Sequence, residues 1–87
     1  MNLDYTQQGR RPSAAQIISA WKACGRPAEF TVEYGETFAE FIRHGGRWHD
    51  SGNGCRGVDR AAVVRALNAD LSANPPASWP AGLGGQM

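Results

Sequence analysis

Residues 29–34, Glu-Phe-Thr-Val-Glu-Tyr, alternate polar and apolar without a break. That is the period of a half-buried β-strand, with Phe30, Val32 and Tyr34 on one face and Glu29, Thr31 and Glu33 on the other. A lone strand leaves a row of backbone donors and acceptors unpaired, so it must find a neighbour. In a chain of 87 residues the choices are few. Segment 47–50, opening with Arg47-Trp48-His49, is the candidate within the chain. Failing that, the 29–34 edge is completed by a second copy, giving a homodimer, or by another protein that adds a strand.

Around this strand the signals are helical. Ser13 and Gln16 form a Ser-x-x-Gln capping box after Pro12, and Ala14, Ile17, Ile18, Trp21 and Cys24 recur at helical spacing until Gly25, which predicts a helix over 13–24. Thr37 and Glu40 make a second box. Phe38, Phe41 and Ile42 then fall on one stripe of a short helix that should stop at Gly45-Gly46, its aromatics buried in the core. Asp59 suits the N-cap of a third helix over 59–72, with Val58 and Val63 placed as a hydrophobic staple and Val63, Val64, Leu67 and Leu71 as the buried stripe. The expected fold is a small single α+β domain over residues 12–72: three short helices packed on one strand or a minimal two-stranded sheet, in the order α-β-α-(β)-α.

Residues 1–11 carry no periodicity and are expected to be flexible. Residues 73–87, rich in Pro and Gly, lack the apolar content to offset their ordering entropy and are expected to be a disordered tail. Trp79 within it reads as a solvent-exposed residue or as a short anchor for a partner. A folded part of roughly sixty residues is near the lower limit for a chain that must bury its own core. No stretch approaches the ~20 apolar residues of a membrane span. Two cysteines are too few for a disulfide scaffold, which points to a reducing, cytoplasmic setting.

The fourteen residues His44–Gly57 hold both histidines, Trp48, Cys55 and five of the eleven glycines, so nearly all the chemistry lies where apolar periodicity stops. His44, His49 and Cys55 are legitimate zinc ligands, but His-x4-His-x5-Cys lacks the tight pairs that fix two ligands from one turn. Cys55 could act as a thiolate beside Arg56, His49 and a helix N-terminus, although so small a domain offers little wall for a substrate pocket. Gly52-Asn-Gly-Cys-Arg-Gly57 running into a helix suggests anion binding, yet Asp59 at the cap would repel an anion and satisfy the same amides. Arg43, Arg47, Arg56, Arg60 and Arg65 face only Asp50 and Asp59 in sequence. With Trp48 as a stacking platform they compose a nucleic-acid-binding alternative, against which stand the acidic stretch 29–40 and a net charge of only +1.

Arg and Trp are also the residues enriched in protein-interface hot spots. The sequence therefore reads as a small non-enzymatic regulatory or inhibitory protein-binding module, without cofactor or metal. Its contact residues would be Arg47, Trp48, His49 and Arg56 on the glycine-rich loop 44–57, with Arg43 and Arg60 beside it. In the contrasting reading, Trp48 roofs the core between the second and third helices.

Overall fold

The computed structural model describes residues 1–51 and 57–75. Its elements are β1 (Asn2–Asp4), a 3-10 turn (Thr6–Gln8), α1 (Ala14–Ala23), β2 (Glu29–Tyr34), β3 (Thr37–His44), β4 (Arg47–Asp50) and α2 (Arg60–Ala73). The strands form one mixed sheet in the order β1-β2-β3-β4, with β1 parallel to β2 and the other pairs antiparallel. Ile17 and Trp21 of α1 and Val63, Leu67 and Leu71 of α2 share a single core with Phe30, Val32, Ala39, Phe41 and Trp48, so both helices lie on the same face of the sheet. The expected three helices on a minimal sheet are thus corrected to two helices on four strands.

The error lies in 37–44, read as a helix and found as β3, the longest strand. Phe38, Phe41 and Ile42 have i, i+3, i+4 spacing, but Phe41 faces the helices while Phe38 and Ile42 lie on the opposite face. A strand with apolar groups on both faces loses its period of two and imitates a helical stripe. The flanking glycines decide the matter. Gly35, at φ 63, takes the first position of a two-residue turn between the paired residues Tyr34 and Thr37. Gly45 and Gly46, at φ 63 and 84, fill both positions of the turn between His44 and Arg47. These are the II′ and I′ patterns, whose twist matches that of the strands they join.

β3 is therefore the neighbour that β2 required. Since β1 pairs along the other side of β2, the 29–34 edge invoked for a homodimer does not exist. The N-terminal segment expected to be loose carries β1 and the 3-10 turn. Thr31 N donates to Met1 O and Tyr5 N to Glu33 O, both at 2.9 Å. Asp4 Oδ1 accepts from Thr6 N at 2.9 Å, and that bond holds the Asp4 carboxyl below its ordinary pKa.

The helix starts follow their caps. Ser13 Oγ accepts from Gln16 N at 3.1 Å, and Asp59 Oδ1 accepts from Ala62 N at 3.1 Å. The Gln16 side chain pairs with Gln8, donating from Nε2 to Oε1 at 2.7 Å, and so ties the 3-10 turn to α1. Val58 and Val63 are both buried, as a hydrophobic staple requires. Ala73 closes α2 with Asn74 as its C-cap, while the remainder of the expected tail from 76 onward, with Trp79, lies outside the described residues.

Four rings form the centre of the core. Trp21 meets Trp48 edge-on at 5.6 Å, Phe30 meets Trp48 at 5.8 Å and Phe41 at 5.2 Å, and Trp21 stacks on Phe30 at 6.3 Å. Each such pair contributes about 0.5–1.5 kcal/mol beyond area burial. The Trp21 indole N–H donates to the Pro27 carbonyl at 2.9 Å, so its one polar atom is satisfied. Arg26, after α1, grips Asp70 of α2 through Nε and Nη2 at 3.1 and 3.2 Å, clamping the helix ends together.

Candidate functional site

Among the described residues, those expected to contact a partner are divided between the two sides of the sheet. Trp48 is 1 % exposed and sits among the core aromatics, so its indole is not available to a partner. The reason is local: in Arg47–Asp50 the strand period turns Arg47 and His49 outward and Trp48 inward. Arg47 and His49 are exposed, and His49 donates from Nε2 to the His44 carbonyl at 3.2 Å, which requires the proton on that nitrogen. Arg43 pairs in register with Trp48 and is half-buried on the helix side of the sheet. Arg60 Nη1 lies 3.1 Å from Asp50 Oδ1, tying the start of α2 to β4. Arg56 and Cys55 lie outside the described residues.

The arginines of the nucleic-acid alternative are likewise divided. Arg47 is on the open face of the sheet, Arg43 and Arg60 are on the helix side, and Arg65 is exposed on α2. Among the described residues no group of three or more His, Cys, Asp and Glu side chains could hold a metal ion. The shallow depression between the helices, about 460 Å³, is lined by Ala14, Ala15, Ile18, Ser19, Lys22 and Ala66, and Lys22 Nζ lies 3.8 Å from Asp70 Oδ1. No helix among the described residues is long and apolar enough to cross a membrane.

Among the described residues, no element packs on the sheet face opposite the helices. The register lays it out in rows: Asp4, Glu33 and Phe38; Asn2, Thr31 and Glu40; Glu29, Ile42 and His49; and His44 with Arg47 at the far turn. Phe38 and Ile42 are 43 % and 44 % exposed. Glu40 stands between them on β3, with Glu33 beside Phe38 and Glu29 beside Ile42. Asn2 Nδ2 donates to Glu33 Oε2 at 3.2 Å, fixing one of these carboxylates in place. Among the described residues of these rows, the arginine is Arg47, on the β4 side.

Sequence reasoning placed Phe38 in the core and gave Ile42 no role on the surface. The signal that could have found them was the pair of glycine turns ten residues apart, Gly35-Glu36 and Gly45-Gly46, which makes 37–44 a strand and sends 38 and 42 to the face of Glu29 and Glu33. No family model, no curated protein and no solved structure matches this chain.

Proposed function

We propose that this chain is a small non-catalytic protein-binding module whose contact surface is the open face of the sheet. The observation that carries the reading is the exposure of Phe38 and Ile42 on one interior strand. Single exposed apolar residues are ordinary; here two stand on the same face of a hydrogen-bonded strand with Glu40 between them, so the face alternates apolar and acidic groups that a partner can match. Arg47 and His49, from the contact set expected at the outset, take their place at its rim. The carboxylates of Asp4, Glu29, Glu33 and Glu40 on the same face weigh against phosphate as the target, which is why protein binding is preferred to nucleic-acid binding.

The test is affinity capture from the native host with the double variant Phe38→Thr/Ile42→Thr, both β-formers that keep the strand, beside Arg65→Ala on α2. The reading expects the captured protein to be lost with the face variant and kept with the α2 variant. Equal capture by the folded face variant would remove the open face from consideration.

A further inference from the structure

We infer that the occupant of the open sheet face is a basic amphipathic α-helix of a partner protein, an inference that rests on the face being the binding surface. Strand addition is disfavoured at both edges. On β4 the Trp48 amide already donates to Asn68 Oδ1 of α2 at 2.7 Å, so an incoming strand finds that position taken. The other edge, β1, is three residues long and offers too short a ladder. A partner must therefore bind the face itself.

Charge and width select among face-binding partners. Four strands about 4.8 Å apart and a few residues long present a face on the order of 15 by 20 Å. Two copies packed sheet to sheet would set the carboxylates of Glu29, Glu33 and Glu40 against their own counterparts, which disfavours a second copy as the occupant. A single helix, about 10–12 Å across, fits that width with its apolar stripe along β3. Charge then selects the kind of helix. Phe38 and Ile42 are separated by Glu40 and flanked across the strands by Glu33 and Glu29, so apolar anchors would be met by Lys or Arg on either side. An acidic helix would bring carboxylates against carboxylates in the same contact.

The probe is a synthetic helical peptide of about 18 residues, one leucine stripe flanked by lysine and arginine, with a twin bearing glutamate at every cationic position. Titrated into the isotope-labelled full chain, the basic peptide should shift the amides of Thr31, Phe38, Glu40 and Ile42. The acidic twin, or the variant Glu29→Lys/Glu40→Lys, should bind at least about tenfold more weakly, and affinity should fall several-fold as salt rises from about 50 to 300 mM. Equal binding of the acidic twin, or shifts confined to α1 and α2, would overturn the inference. So would self-association abolished by Phe38→Thr/Ile42→Thr, which would make a second copy the occupant. Should a cellular partner depend on Phe38 and Ile42 yet ignore Glu29→Lys/Glu40→Lys, the basic helix is refuted while the binding face stands. Should it ignore both double variants, both readings fall.

Discussion

Trp48 shows how little a residue type says about its role until its direction is known. Arginine and tryptophan side by side in a glycine-rich segment suggest a hot spot, but a strand position decides whether the ring meets a partner or the core. The polar-apolar-polar run Arg47-Trp48-His49 already contained the answer, since only the middle residue can be the inward one. Truncating a buried tryptophan costs about 3–5 kcal/mol, a large part of the roughly 5–15 kcal/mol that holds a domain together. Trp48→Ala should therefore shift the denaturant midpoint strongly, and unchanged stability would contradict its place among Trp21, Phe30 and Phe41. Gly57 makes a second case. A Cβ there would lie 2.5 Å from Tyr34 Cδ2 and 3.2 Å from Thr37 Oγ1. Gly57→Ala should destabilise the fold by about 1–3 kcal/mol in the same measurement, because the turn before α2 is pressed against the β2–β3 hairpin.

Elements were legible where one face alone is apolar. The helices expected at 13–24 and 59–72 lie at Ala14–Ala23 and Arg60–Ala73, and the alternating strand lies at Glu29–Tyr34. β3 was not, since Phe38 and Ile42 face away from Phe41 and break the alternation. β1 was not either: with Leu3 between Asn2 and Asp4 it is too short to show a period. The element that failed as a pattern is thus the one that carries the candidate surface, a coincidence expected when function overrides the pattern that folding alone would choose. The edge of β4 depends on another element, because Asn68 in α2 satisfies the Trp48 amide. Asn68→Ala should leave that amide without its partner and cost about 1–3 kcal/mol. Amide exchange at Trp48 reports it directly: faster exchange in the variant is expected, and unchanged protection would show that the bond contributes nothing to closing the edge.

At the scale of the whole molecule, the sheet has two unlike sides. Its helix side buries Trp21, Phe30, Phe41 and Trp48 and keeps a small chain folded, while its open side carries Phe38 and Ile42 among carboxylates with Arg47 at one margin. Sequence alone could rank chemistries for the glycine-rich segment, but it could not divide residues between the two sides without the strand order. The most direct measurement is photo-crosslinking in native cells, with a photoreactive benzoylphenylalanine in place of Phe38 or, on the helix side, of Arg65. Covalent capture of a protein from position 38 and none from position 65 is the predicted result. Capture from position 65 with none from position 38 would contradict the assignment of the open sheet face as the surface on which this protein works.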